Sequence, residues 1–508
     1  MFEQQPLAPF RPETVKRVMP GPSPDRDTLW DVSPSNRDDE VAFTFSDLFA
    51  GIGGFHSVLS DAGGRCVFVS EIDREARTTY LRNWPAYGEG YHLNEDINEA
   101  TPETGQVALP EHDVLAAGFP CQPFSKSGRQ RGMDEVRGTL FWNIARALQA
   151  RRPSIILLEN VRNLAGPRHQ HEWRMIIRTL RELGYRVSST PTVFSPHFLP
   201  PSLGGTPQVR DRVFILGTYV GPERALAETD APPTVIRGPV DGWDPMWWKV
   251  GWILDADSTV DATTYGLSRD ETKWIDTWDD FVVRHRVATG ERLPGHPLWF
   301  DEWGSEDRYT PGALAAMPAW KVDFINKNRT FYRKHQDLIE EWIRDRPEIR
   351  GFPESRRKLE WQAQDTPRLW NTLMHLRPSG IRAKAPTYLP ALVAITQTSI
   401  VGPRRRRLTP HEAARAQGLP RSFSFAGQRD SASYKQVGNG VATGAAWYVL
   451  RQHVLQDTAN AADIPPALRE AILGAPASPT GDALSPEAHL FEATWRQAQG
   501  QSASRLAS

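Results

Sequence analysis

The stretch Phe43–Gly64, FTFSDLFAGIGGFHSVLSDAGG, decides the fold. An apolar run ending at Phe49 reads as a strand, the glycines as a tight turn, and the residues after them as a helix. Backbone N–H groups at such a turn can approach a ligand closely at a helix N-terminus. On its own the turn suits NAD, FAD or S-adenosylmethionine equally well, or no ligand at all. Outward from it, strand and helix patterns alternate as far as Tyr219. CVFVSEID, DVLAAG, SIILLENV and QVRDRVFILGTYV read as strands; GTLFWNIARALQA and HEWRMIIRTLRELG read as amphipathic helices. This alternation predicts an α/β fold with a mostly parallel sheet covered on both faces.

The remainder of the chain divides by composition. Residues 1–42, proline-rich and polar, read as a disordered arm. Beyond residue 220 the alternation stops and a tryptophan-rich, charged region begins, expected to form a second, mixed domain over 220–429. SYKQVGNGVATGAAWYVLRQHVL reads as one helix, over 430–456, returning to the first domain with Val441, Ala445 and Tyr448 at packing spacing. Residues 457–508, rich in alanine, proline and serine, read as a weakly ordered tail with PPALREAIL as a short helix.

Net charge is −1 across 508 residues, so any polyanion site must be a local patch. The 60 basic residues are mostly arginine, which suits phosphates and guanine edges but also follows from GC-rich coding. Two cysteines, Cys66 and Cys121, argue against a disulfide framework and for a reducing compartment. Neither a membrane span nor a secretory h-region is visible, so a cytoplasmic protein is expected. Cys66 lies in an apolar strand and reads as a core residue. The tryptophans also read as core, and Arg404–Arg407 as either a solvated run or phosphate contacts.

Cys121 is placed differently, between two prolines in the polar loop GFPCQPFSKSG, Gly118–Gly128. That loop follows the strand DVLAAG; Glu159 and Asn160 end the strand SIILLEN; and the glycine turn ends the first strand. In an open α/β sheet such ends line one crevice where ligands bind. Glu71, about 20 residues beyond the turn, suits ribose hydroxyls, and Asp96 an adenine amino group. Gln208, Arg210 and Arg212 fall at i, i+2 and i+4 of a predicted strand, hence on one face.

A thiol, a carboxylate and arginines beside an adenosine-type site suggest covalent catalysis on a heteroaromatic ring. The constellation resembles the DNA (cytosine-5) methyltransferases over about residues 43–219 and 403–450. The motifs in order are DLFAGIGG, SEID, GFPCQPFSKSG, RGTLF, LLENV, QVRDR, RRLTPHEAARAQG and QVGNGV. His411 and Leu419 stand where the family more often has arginine and an aromatic residue.

The resemblance implies a class I methyltransferase fold, Rossmann-like, with a target-recognition domain. It implies S-adenosylmethionine as cofactor and double-stranded DNA as partner, with no metal. Cys121 would be the nucleophile, Glu159 would bind the base at N3 and the 4-amino group, Arg212 would support the carbonyl, and Arg210 the nearby backbone. Phe49, Gly51, Gly53, Glu71, Ile72, Asp96, Leu140 and Asn439 would contact the cofactor, and Gln122, Ser127, Arg129, Arg137 and Gln208 the DNA. A nucleoid-associated monomer, working beside a restriction or other anti-phage system, would suffice. Two alternatives stand beside it: a tRNA cytosine-5 methyltransferase, disfavoured by the long insert, and a dinucleotide-dependent oxidoreductase, which leaves the Pro-Cys loop unexplained. A catalytically dead DNA-binding scaffold would retain the fold but leave Cys121, Glu159 and Arg212 without purpose.

Overall fold

A computed structural model describes residues 41–85, 92–120, 139–304, 308–392, 398–479 and 482–506. Residues 1–40 of the proposed arm 1–42, and the residues Cys121, Gln122, Ser127, Arg129 and Arg137, lie outside the described residues.

The glycine turn connects β1 (Phe43–Leu48) to α1 (Gly54–Asp61). The alternation continues through β2 (Gly64–Ser70), α2 (Arg74–Asn83), β3 (His92–Asn94), α3 (Ile97–Ala100), β4 (Val114–Gly118), α4 (Leu140–Arg151) and β5 (Ile155–Val161). It ends with α5 (Gln170–Glu182), β6 (Tyr185–Val187), β7 (Thr192–Phe194) and β8 (Arg212–Tyr219). The sheet runs β3-β2-β1-β4-β5-β8-β6, with β7 also on β8. β1 to β5 pair in parallel, and β8 runs antiparallel to β5, β6 and β7.

Strand β5 shows why the sheet must be covered twice. Ile155 and Leu157 pack with Val58, Leu59 and Leu450 on one face; Ile156 and Leu158 pack with Ile144, Leu148 and Ile176 on the other. A strand apolar on both sides is stable only between two layers of helix.

The strand read from QVRDR begins only at Arg212. Gln208 instead makes an isolated bridge to Leu389, and Val209 N–H donates to Leu389 O at 2.8 Å. The expected single face of Gln208, Arg210 and Arg212 is therefore not formed: cross-links to the 380s take the backbone of 207–209 out of the sheet.

The second region builds a sheet in the order β14-β13-β11-β12-β10-β9. Its strands are β9 (Leu298–Trp299), β10 (Lys358–Gln362), β11 (Leu373–Arg377), β12 (Gly380–Lys384), β13 (Ile400–Val401) and β14 (Arg406–Arg407). α6 (Arg269–Thr289) covers it, started by a capping box between Ser268 and Glu271 and stopped at Gly290. Its core holds Trp278, Trp303, Trp342, Trp361 and Trp370. Tryptophan here is mainly packing; Trp320, 60% exposed, is an exception. Arg404 pairs with Asp257 (2.8 Å), Arg406 is buried against Glu412 (2.7 Å), and Arg407 pairs with Glu271 (2.5 Å). Arg406 is thus withdrawn into the fold, while Arg404, exposed in its pair, and Arg405, which lies over Trp370, stay at the surface.

Two expectations about the C-terminal part need correction. The returning helix is two helices, α7 (Asp430–Asn439) and α8 (Thr443–Asn460), broken at Gly440–Ala442. The tail forms the expected short helix, α9 (Pro466–Gly474), and a second one, α10 (Pro486–Leu506), rather than a weakly ordered segment. Ile464, Leu468 and Ile472 join the core of the first sheet, and Leu484 and Ala488 pack with Trp248 and Trp252. Its alanines, read as disorder, permit close packing instead. Cys66 is a buried free thiol. Among the described residues no helix is long and apolar enough to cross a membrane.

Candidate active site

The carboxyl ends of β1, β2, β4 and β5 open onto one cleft of about 540 Å³, within the size range of small-molecule sites. At one end it is lined by Phe49, Gly51, Glu71, Ile72, Asp96 and Leu140, with Asn439 from the last turn of α7. Phe49 and Gly51 both have positive φ (56° and 58°), so the chain turns back sharply after β1. Glu71 fixes that turn: its carboxylate accepts from Gly51 N–H (2.8 Å) and Asp73 N–H (2.7 Å). A Cβ built on Gly51 would meet nothing within 4 Å, so the space before it is open to a ligand. Ile72 is 73% exposed beside it, an apolar side chain left in water at the cleft edge. Asp96 also caps α3, accepting from Asn98 N–H at 2.9 Å.

Gly53 does not line the cleft, which corrects its expected role. A Cβ there would sit 2.0 Å from the Trp84 indole nitrogen, which donates to Ile52 O at 3.0 Å. Its glycine is required by packing. With Gly51 N–H held by Glu71 and Gly53 N–H by Ala50 O, neither amide is presented to a phosphate. A pyrophosphate cradle draws on free donors of this kind, and these two are already taken.

At the other end lie Gly118, Phe119, Pro120, Glu159, Arg210 and Arg212. Register places Glu159 beside Gly118 on β4, so the loop that begins at Phe119 starts next to the carboxylate. Asn160 anchors it by donating to Phe119 O at 2.8 Å. Glu159 is 8% exposed, and its Oε1 lies 2.8 Å from Arg212 Nε. Burial raises its pKa above the usual carboxylate range, while Arg212 and Arg210 oppose that shift. Arg210 is buried and donates to Leu392 O (3.0 Å), Gly438 O (2.9 Å) and Gly440 O (2.6 Å). The last two carbonyls are available because the helix breaks there.

Gln208 is fully buried, and its carboxamide has no hydrogen-bond partner among the described residues. A side chain without accessible surface does not reach DNA in this conformation, which corrects that expectation. Sequence reasoning missed Lys435, which lines the cleft from α7 and pairs with Asp73 (2.8 Å) at the start of α2. It also missed Leu392, whereas Asn160, read with Glu159 at a strand end, does line the cleft.

Residues 43–236 and 293–454 match the family model described as C-5 cytosine-specific DNA methylase. The Type II methyltransferase M.AluI of Cellulosimicrobium cellulans is 46% identical, over 82% of this chain and 93% of its own length. The Type II methyltransferase M.BanI of Aneurinibacillus aneurinilyticus is 31% identical, over 78% and 92%. A DNA-cytosine methyltransferase of Escherichia coli (strain K12) is 40% identical over 35% of this chain and 42% of its own.

Proposed function

The chain belongs to the C-5 cytosine-specific DNA methylases, and from that premise we propose that it methylates C5 of a cytosine flipped out of a specific duplex sequence, using S-adenosylmethionine. The supporting observation is the single cleft that holds the Glu71 end and the Glu159–Arg212 pair together. Phe49, Gly51, Glu71, Ile72, Asp96, Leu140 and Asn439 would hold the cofactor, which when bound supplies a methyl group activated by its sulfonium charge.

The residues of the chain prepare the base. Cytosine C5 is a poor nucleophile. In this reading the Cys121 thiolate adds at C6, breaks the ring's aromaticity and places enamine-like density on C5. Cys121 directly follows Pro120, which lines the cleft. Glu159, protonated, donates to N3 and accepts from the 4-amino group, and burial favours the protonated form it needs. Arg212 supports the carbonyl and orients Glu159. Arg210, spent on backbone carbonyls, holds the wall. Once C5 carries the methyl group, loss of its proton and expulsion of Cys121 restore the ring. Inside a stacked duplex none of these groups could reach the base.

Residues 220–429 supply sequence recognition in this reading. The enzyme serves in the cytoplasm as the modification arm of a Type II system, as the names of its relatives suggest. Offering a labelled methyl donor to duplex DNA and to tRNA separately tests it: transfer to DNA is expected, and transfer to tRNA alone would contradict it.

A further inference from the structure

The second sheet has one apolar face, and its other face carries charge beside Leu373, which is buried in a neighbouring core. Leu359, Trp361, Met374, Leu376, Ile381 and Ala383 all enter its core, so the alternate positions point the other way. Those positions set His375 directly opposite Arg382. Arg377 and Lys384, each two residues along, lie diagonal to that pair, within reach of long side chains.

Counter-charge on this face is sparse. Arg382 is held by Glu360 at 2.6 Å and Lys358 by Glu354 at 2.7 Å. Arg377 and Lys384 have no carboxylate partner among the described residues. Burial and then the neighbouring Arg382 push both below their usual pKa values, Arg377 adds to the effect on Lys384, and Glu360 opposes it on both. Half-buried like charges destabilise an isolated fold, and a polyanion laid across them removes that repulsion. The position is also telling. His375 and Arg377 line a small cleft with Ala413, Tyr434 and Leu392, and Leu392 also lines the catalytic cleft.

Resting on the DNA-methylation reading, we propose that the charged face of β11–β12 seats the phosphate backbone of the duplex beside the flipped cytosine, with Arg377 and Lys384 as phosphate contacts. It is a local basic patch on a chain whose net charge is −1, and it borders the cavity the base must enter.

The test is duplex binding by the full-length R377A/K384A variant between about 50 and 200 mM salt, followed by anisotropy, with methyl transfer measured at saturating duplex. Affinity at low salt should fall on the order of tenfold or more, and the slope of log K against log salt should flatten by about 1.8 for two contacts. The melting temperature should not fall, because the two substitutions remove a like-charge repulsion. R377K/K384R, which keeps the charges, should restore affinity and slope. Unchanged affinity and slope in R377A/K384A, while the wild type methylates DNA, would overturn the seat alone. An affinity loss that R377K/K384R does not restore would overturn it too. If the wild type transfers nothing to DNA yet these substitutions still flatten its salt dependence, the seat stands and the activity fails.

Discussion

Glu159 and Arg212 form a diagonal pair across antiparallel strands, their Oε1 and Nε atoms 2.8 Å apart. Register sets Val161, not Glu159, opposite Arg212, so the guanidinium reaches back along the sheet to the carboxylate. Burial and the arginines pull the acid in opposite directions, and burial prevails.

A proton donor with a raised pKa keeps its proton to higher pH, so turnover should decline as pH rises through the Glu159 pKa in the complex. Glu159→Gln retains an N–H donor but cannot transfer a proton. Its turnover should drop roughly 10²-fold or more and lose that alkaline decline. Single-turnover rates across pH 5–10 (about the range where buried carboxylates and thiols titrate) would check this. An alkaline limb unchanged in Glu159→Gln would assign it to another group.

Gly51 and Gly53 should separate function from folding. Gly51→Ala puts a methyl group into open cleft space at a cost of about 1 kcal/mol for its positive φ. It should weaken cofactor binding, seen by calorimetry, with little change in melting temperature. Gly53→Ala drives a Cβ into Trp84 and should lower the melting temperature by several degrees.

Asp47 is buried on β1, where the His56 backbone N–H gives its carboxylate only weak support. Burial, reinforced by the charge of Glu71, raises its pKa well above the usual value. A raised acid binds its proton more tightly when folded. Its penalty is therefore absent below the unfolded pKa, grows as pH rises, and is complete above the folded pKa. Asp47→Asn should remove this loss, so its melting temperature should gain on the wild type as pH rises from about 4, near the ordinary carboxylate pKa. Parallel curves would show that Asp47 does not titrate there.

The C-terminal segment should be structural. Glu492 is buried, accepting from Ser202 N–H (2.8 Å) and hydroxyl (2.5 Å) and pairing with Arg496 (2.7 Å). Glu492→Ala leaves the Ser202 groups unpaired and should cost about 1–3 kcal/mol. Truncation before Ala483 should cost more, because it also uncovers Trp248 and Trp252. Urea unfolding would measure both, and an unchanged midpoint on truncation would contradict the packing.

The parts of the fold legible in advance were those where local pattern and tertiary environment agree. β1, the glycine turn and β5 are continuous apolar runs or obligatory turns, and Glu71 and Glu159 sit where strand ends must converge. What escaped reading depends on distant partners. Gly53 is a glycine because Trp84 approaches it from 31 residues away, and Gln208 leaves its strand because Leu389 captures the backbone. The break at Gly440 reads as helix until Arg210 arrives to take the released carbonyls. The tail's small residues look like disorder until the surfaces they fit are known.

In this reading methyl transfer runs through a covalent bond to Cys121. Duplex DNA carrying 5-fluorocytosine at the target position cannot lose a proton from C5, so attack by the thiol should trap the enzyme on the DNA. With the methyl donor present, the wild type should give a species of protein plus DNA that survives denaturing electrophoresis. Cys121→Ala should give none, and should methylate no unmodified DNA while still binding cofactor. Substantial methyl transfer by Cys121→Ala, or its retention of the trapped species, would contradict the account.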